Sequence, residues 1–361
     1  MVNDGNKLSQ GLACIRADVR AAQAYPVQSS AGMVKLDVME NPFRLAPDLQ
    51  RALGERLGAV AINRYPAERT QDLAGALARH AGMPEGCAIT LGNGSDELIS
   101  MLSLAIAKPG ARVLSPVPTF VMYEISARYQ GLEFVGVPLL ADFELDGPAM
   151  LAAIAEQQPA LIYLAYPNNP TGNLWDAAVS EQIILAAPGL VVMDEAYQPF
   201  AARDSMALLQ RQPHVLVMRT MSKFGLAGVR IGYLIGRQTL IAEIEKLRPP
   251  FNIGVLNAEA GLFALEHAEV YAAQAALLRA QREQVFAALQ ALPGVQPFPS
   301  QGNMILLRVA DAARVYAGMK ARGVLIKNSS AAHPALANCL RITVGTADEN
   351  AAMLAALKES L

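Results

Sequence analysis

This sequence has few cysteines, almost no net charge and no long apolar runs. The 361 residues include three cysteines, which stand far apart, so they indicate a reducing compartment and offer no cluster of metal ligands. Thirty lysines and arginines balance 32 aspartates and glutamates, and this near-neutrality argues against a broad nucleic-acid-binding face. Every apolar run of 18 residues is interrupted by charge or turn residues, so we expect no membrane span.

The N-terminal segment also lacks the pattern of a secretory leader. MVNDGNKLSQ has no positive stretch that leads into an apolar one, so we expect no signal peptide and a cytoplasmic location. Hydrophobic residues make up 53 % of the chain, which is enough for a large buried core.

Short apolar runs alternate with amphipathic stretches through the middle of the chain. ARVLSP, EFVGVP, ALIYLAY, GLVVMDE, HVLVMRT and GYLIG each predict a buried strand, and stretches between them such as AAVSEQIILAA have helical spacing. This alternation predicts an α/β fold, with a large domain at residues 44–256 whose mostly parallel sheet is flanked by helices. Ligands of such sheets bind at the carboxyl ends of the strands.

The C-terminal third has a different pattern. An alanine-rich helical stretch at about residues 257–292 precedes the strand-like runs NMILLRV, GVLIK and CLRITVG, and a final helix begins near Ala347. These elements predict a smaller α+β domain, which we expect to comprise residues 1–43 and 257–361.

Polar and charged residues follow several of the predicted strands. LGNGSDE places two glycines before Ser95 and Asp96, which form either an ordinary helix cap or an anion site made of free backbone N–H groups. GLVVMDE ends at Asp194, and a carboxylate buried there needs a cationic or hydrogen-bonding partner. HVLVMRTMSKF brings Lys223 to a strand end, and Arg230 follows seven residues later.

One cofactor, pyridoxal 5′-phosphate, would use all of these groups together. Its aldehyde reacts with a lysine, its pyridinium nitrogen pairs with a carboxylate, and its phosphate binds a helix N-terminus with arginine or hydroxyls. Phe120 in PTFVMY offers an aromatic surface for the ring. The sequence therefore predicts a cofactor site and no metal site.

NPTG, DEAY and SKFGLAGVR, in this order, resemble the motifs of fold-type I pyridoxal-phosphate aminotransferases. NRYP at 63–66, LGNGSDELI at 91–99, PNNPTG at 167–172 and CLRITVGT at 339–346 resemble, more narrowly, the histidinol-phosphate aminotransferases. The resemblance extends over nearly the whole chain. It implies an aspartate-aminotransferase-like fold and a homodimer with shared active sites.

The resemblance also implies roles for single residues. Lys223 would form the Schiff base, Asp194 would pair with the pyridinium nitrogen, and Tyr197 and Asn169 would face the phenolate oxygen. The phosphate would be held by Ser95, Asp96, Thr220, Ser222 and Arg230, with Phe120 on the ring face and Tyr65 reaching over from the neighbouring subunit. The substrate side would comprise Arg341, Lys327, Tyr25 and Asn41.

The reaction implied by the resemblance is transamination between L-histidinol phosphate and 2-oxoglutarate, which gives imidazole acetol phosphate and L-glutamate in histidine biosynthesis. Arg341 would bind the glutamate carboxylate and also the phosphate of the other substrate. Transamination of aromatic amino acids and decarboxylation of phosphothreonine use the same cofactor groups and stay open. A non-catalytic cofactor-binding module is a remote alternative, since the chain keeps Lys223 and shows no N-terminal DNA-binding extension.

Overall fold

A computed structural model describes residues 4–24 and 28–361, except for the side chains of residues 4–6 and 67. The chain forms two compact units. The first, Met1–Gly32, contains helices α1 (Asp4–Ala13) and α2 (Ala17–Ala21), whose described side chains are exposed. The second unit is Met33–Leu361.

The second unit contains strands and helices in alternation. Its strands are β1 (Val34–Lys35), β2 (Cys87–Gly92), β3 (Arg112–Val117), β4 (Glu133–Pro138), β5 (Leu161–Ala165), β6 (Leu190–Asp194), β7 (Val215–Thr220), β8 (Gly232–Arg237), β9 (Gln296–Pro297), β10 (Met304–Arg308), β11 (Val324–Leu325), β12 (Lys327–Asn328) and β13 (Cys339–Thr343). Its α-helices are α3 (Pro47–Gly58), α4 (Ala67–Ala81), α5 (Ser95–Ala105), α6 (Met122–Tyr129), α7 (Gly147–Gln157), α8 (Ala177–Ala186), α9 (Leu208–Arg211), α10 (Gln238–Glu245), α11 (Val255–Glu266), α12 (Ala268–Gln290), α13 (Ala312–Ala321) and α14 (Ala347–Lys358). Short 3₁₀ turns lie at Gln198–Phe200, Ala227–Val229 and Pro334–Leu336, and a π-type turn lies at Ser222–Leu226.

A seven-stranded sheet organises the larger part of this unit, in the order β2-β8-β7-β6-β5-β3-β4. Only β8 among these strands runs antiparallel to its neighbours, and the other pairs are parallel. The prediction of an α/β fold with a mostly parallel sheet is therefore confirmed. The carboxyl ends of β5, β6 and β7 meet at one edge, because Ala165 is in register with Asp194, and Asp194 with Met218.

Helices cover both faces of this sheet, which explains why its central strands are continuous apolar runs. Successive residues of β6 alternate between two cores: Val191 and Met193 pack on the side of α4, α7, α8 and α11, whereas Val192 packs on the side of α5, α6 and α10. Asp194 continues this alternation at the end of the strand. Its carboxylate therefore faces the side of α5 and α6.

A second core surrounds the antiparallel sheet β12-β13-β10-β9, together with residues of α12, α13 and α14. Leu36 and Met39 belong to this core, and β1 pairs with β11 beside it. Helix α11 begins at Val255 and packs on the core of the large sheet, and α12 begins after His267. The boundaries at residues 43 and 256 stay a prediction.

Candidate active site

A cavity of about 320 Å³ lies at the carboxyl ends of β5, β6 and β7. Ala165, Asp194 and Thr220, the last residues of these strands, are on its wall. This is the edge at which ligands of parallel sheets bind. The predicted site residues that line the cavity are Ser95, Asp96, Phe120, Asn169, Asp194, Tyr197, Thr220, Ser222, Lys223 and Arg230.

Lys223 enters the cavity from the π-type turn that follows β7. Its Nζ donates a hydrogen bond to the Val38 carbonyl at 2.7 Å and lies 6.0 Å from the centre of the Tyr197 ring. Burial, helped by the positive charge of Arg341, lowers the pKa of Lys223 to about 8. The side chain can therefore act as a neutral amine, and thus as a nucleophile or base, close to neutral pH.

Asp194 faces the same cavity from the end of β6. Its Oδ2 accepts a hydrogen bond from the Tyr123 hydroxyl at 2.5 Å, and its Oδ1 accepts one from the Ala196 N–H at 3.1 Å. Burial raises the pKa of Asp194 to about 6, against the effect of these two hydrogen bonds. A cationic ring nitrogen placed beside this carboxylate would compensate the cost of its burial.

One end of the cavity is suited to an anion. Helix α5 begins at Ser95 and directs free N–H groups outward, and Arg230 and the hydroxyls of Thr220 and Ser222 lie on the same wall. Arg230 Nη2 donates to Asp96 Oδ2 at 3.3 Å, and the two hydroxyl oxygens are 3.0 Å apart. This set of donors matches a phosphate group.

Gly94 allows this arrangement, because it stands directly before α5 with φ +81°. A Cβ added to Gly94 would lie 2.5 Å from Arg230 Nη2. The absence of a side chain therefore lets the guanidinium pack against the backbone that starts the helix.

Arg341 donates a hydrogen bond to the Asn169 side chain and thereby orients its amide. The guanidinium, which is 8 % exposed, donates from Nη1 to Asn169 Oδ1 at 2.6 Å and from Nη2 to the Asp37 carbonyl at 2.7 Å. Because the amide oxygen accepts from arginine, the Asn169 NH₂ is the group left to donate. Lys327 is in register with Arg341 on the neighbouring strand, so the two residues share one face of the sheet.

Asn41 and Tyr65, two further predicted residues, are not on the cavity wall. Asn41 donates instead to Gln274 Oε1 at 2.8 Å. Tyr65 is 77 % exposed and stacks on Phe251 with ring centres 4.3 Å apart, beside a different cavity. Tyr25 lies outside the described residues.

Sequence reasoning missed two groups that contact the central residues. Tyr123 donates to Asp194, and its position three residues after Phe120 on a helical pattern was a usable signal. The Val38 carbonyl, which accepts from Lys223, had no signal, because any residue type supplies a backbone carbonyl.

The residues of the cavity fit pyridoxal 5′-phosphate better than a metal. An amine of lowered pKa, a buried carboxylate and a phosphate-sized set of donors line one space. Across residues 4–24 and 28–361 no three histidine, cysteine or acidic side chains converge as metal ligands. In the same part of the chain no helix has both the length and the apolar character needed to cross a bilayer.

Comparison with known proteins agrees with this geometry. The sequence matches the aminotransferase class I and II family over residues 31–357. It is 62 % identical to the histidinol-phosphate aminotransferase of Methylibium petroleiphilum, over 99 % of this chain and 97 % of that protein. It is 63 % identical to the corresponding protein of Polaromonas naphthalenivorans, over 96 % of both chains.

A solved structure is similar over almost the same length. The histidinol-phosphate aminotransferase of Sinorhizobium meliloti, in complex with pyridoxal 5′-phosphate, superimposes with a TM-score of 0.83 at 26 % identity. The match covers 96 % of this chain and 97 % of that one.

Proposed function

The chain belongs to the class I and II aminotransferase family, and we propose that it transfers an amino group between L-histidinol phosphate and 2-oxoglutarate. The products are imidazole acetol phosphate and L-glutamate, and the reaction belongs to histidine biosynthesis. The observation that carries this proposal is the 62 % identity over 99 % of the chain to a relative of that name. The cavity supplies the groups that the chemistry needs.

The cofactor is pyridoxal 5′-phosphate, which when bound supplies an electrophilic carbon and a ring that accepts electrons from the substrate. Asp194 would pair with its ring nitrogen, and Asn169 and Tyr197 would face its ring oxygen. The aromatic surface of Phe120 would cover one ring face. The phosphate would be held by Ser95, Asp96, Thr220, Ser222 and Arg230.

Lys223 is both the covalent anchor and the proton carrier. Its lowered pKa leaves a useful fraction of neutral amine near pH 7, so it can accept the proton of the substrate α-carbon and later return it. The amine donates to the Val38 carbonyl at 2.7 Å, which fixes its position at the cavity wall. Because Lys223 both accepts and returns this proton, the reaction needs no second side chain as acid or base.

Arg341 is the proposed substrate-anion ligand, and its buried guanidinium offers a planar fork for a carboxylate or a phosphate. Lys327, which is in register with it, adds a second positive charge for the doubly charged phosphate. Tyr25 and Asn41 complete the substrate side in this proposal. Because both substrates use the same anion site in turn, the kinetics are expected to be ping-pong.

The proposed assembly is a cytoplasmic homodimer in which Tyr65 reaches the phosphate of the second subunit. The 77 % exposure of Tyr65 and the 48 % exposure of its stacking partner Phe251 support this proposal, as does the exposed Ile62. Large aromatic and aliphatic side chains exposed together are typical of a protein–protein contact.

The test is an assay of the purified protein, loaded with cofactor, on histidinol phosphate and 2-oxoglutarate. Glutamate should form, and Lys223→Ala should lower the rate at least about a thousandfold, because it removes both the anchor and the base. Phenylalanine and phosphothreonine test the alternatives. Carbon dioxide release from phosphothreonine without glutamate would refute the proposal, and so would equal rates with phenylalanine and histidinol phosphate.

A further inference from the structure

Tyr123 is the side chain that determines how the Asp194 carboxylate is held. We propose that Tyr123 is a positioning residue: its hydroxyl fixes Asp194, as an anion and in one orientation, toward the ring nitrogen of the cofactor. The inference rests on the proposed function and deepens it. No role for Tyr123 was implied by the sequence motifs, in which Phe120 is the aromatic residue of interest.

The geometry leaves the Tyr123 hydroxyl little freedom. Tyr123 is fully buried on α6, its ring stacks on Tyr163 with centres 4.2 Å apart and planes within 2°, and the Phe120 ring packs edge-on at 5.7 Å. The hydroxyl donates to Asp194 Oδ2, while the Ala196 N–H donates to Oδ1. With one donor on each oxygen, the carboxylate plane cannot rotate without breaking a hydrogen bond.

The electrostatic surroundings make the hydroxyl important for the charge of Asp194. The titratable groups that act on this carboxylate are Tyr123 from α6, Tyr163 from β5 and Asp96 from α5. Tyr197 and Lys223, from the loops after β6 and β7, line the same cavity. Burial and Asp96 raise the pKa of Asp194, and the Tyr123 hydroxyl lowers it. Burial and Asp194 together raise the pKa of Tyr123 well above its usual range, so the phenol stays a donor.

Removal of the hydroxyl should therefore protonate Asp194 at a higher pH. The experiment measures equilibrium binding of pyridoxal 5′-phosphate to the cofactor-free protein, by absorbance, between about pH 5.5 and 9. For Tyr123→Phe we expect affinity about 10- to 100-fold weaker near pH 6.5, the range for one lost hydrogen bond to a charged group. The acid limb of the binding profile should move to higher pH, so the difference should shrink as the pH rises.

Tyr163→Phe is the matched control. It removes the same atom from the ring stacked on Tyr123, and its binding profile should coincide with that of the wild type. Thermal unfolding of the cofactor-free variants shows whether both fold. The inference is overturned if Tyr123→Phe binds with the wild-type pH profile, or if both variants lose the same affinity at every pH. If the wild-type protein binds no cofactor, the proposed function itself fails.

Discussion

At the scale of single residues, Lys223 owes its chemistry to its surroundings. Burial and the guanidinium of Arg341 lower its pKa to about 8, while the Glu40 carboxylate on the cavity wall acts in the opposite direction. At pH 7 roughly a tenth of such amines are neutral, against less than about one in a thousand for a lysine of ordinary pKa near 10.4. The site therefore obtains a base from a residue that is usually a cation.

This balance of charges predicts the pH dependence of Lys223. The rate at which the cofactor-free protein captures pyridoxal 5′-phosphate, trapped with borohydride, should rise with pH, reach half of its maximum near pH 8 and level off about one pH unit higher. Arg341→Gln removes a positive charge and should move this profile to higher pH, whereas Glu40→Gln removes a negative charge and should move it to lower pH. Peptide mapping separates Lys223 from surface lysines. A rate that still rises steeply at about pH 10 would contradict the lowered pKa.

At the scale of elements, the start of α5 carries the anion-binding function. Gly94 has a positive φ of +81°, and the space that its Cβ would occupy holds the Arg230 guanidinium. Gly94 is therefore needed for a different reason from the polar residues Ser95 and Asp96 that follow it. The helix supplies N–H groups, and the glycine lets a cation approach them.

The Gly94→Ala variant tests this packing of Arg230 against the helix start, and Gly110→Ala is its control. Gly94, with φ +81° and ψ 168°, lies in a backbone region essentially restricted to glycine, and Gly110 has φ +78°, so each substitution should cost about 1–3 kcal/mol of stability. A Cβ at Gly110 meets open space, whereas one at Gly94 displaces Arg230. Only Gly94→Ala should therefore weaken cofactor binding, by about tenfold, which is typical for a disturbed charged contact. Equal affinity in the two variants, measured by titration, would argue against the role of Gly94.

At the scale of the whole molecule, the two ends of the site come from distant parts of the chain. Lys223 and Val38 are 185 residues apart, and Arg341 and Asn169 are 172 residues apart. Val38 therefore lines the cavity beside groups carried by the large sheet, and Arg341 of β13 holds one of these groups, Asn169, by a hydrogen bond. The proposed homodimer adds Tyr65 from a second chain.

Subunit mixing tests the shared site. Lys223→Ala and Tyr65→Ala proteins, each of reduced activity, are mixed under conditions that exchange subunits. A mixed dimer has one site with neither substitution, so random exchange should restore about a quarter of the wild-type activity. Mixing Lys223→Ala with Lys223→Arg protein is the control and should restore none. Activity of the first mixture equal to the mean of its components would contradict a shared site.

The fold and the central residues could be predicted because their signals are local. Continuous apolar runs predicted the strands from β3 to β8, and parallel strands bring their carboxyl ends to one edge whatever the loops between them do. Asp194 and Lys223, placed directly after such runs, had to meet near that edge. The spacing of Tyr123 from Phe120 indicated the same helical face, but its contact with Asp194 could not be predicted, because it joins residues 71 positions apart.

The sequence by itself determined the α/β class, the family and which residues stand at the strand ends, since each depends on residue type and order along the chain. Only the tertiary structure decided the ionisation of those residues and the direction of their hydrogen bonds. Lys223 and Asp194 acquire their shifted pKa values from burial and from neighbours brought together by folding. Desolvation and hydrogen-bond geometry depend on distances in space, which are set only when the chain has packed.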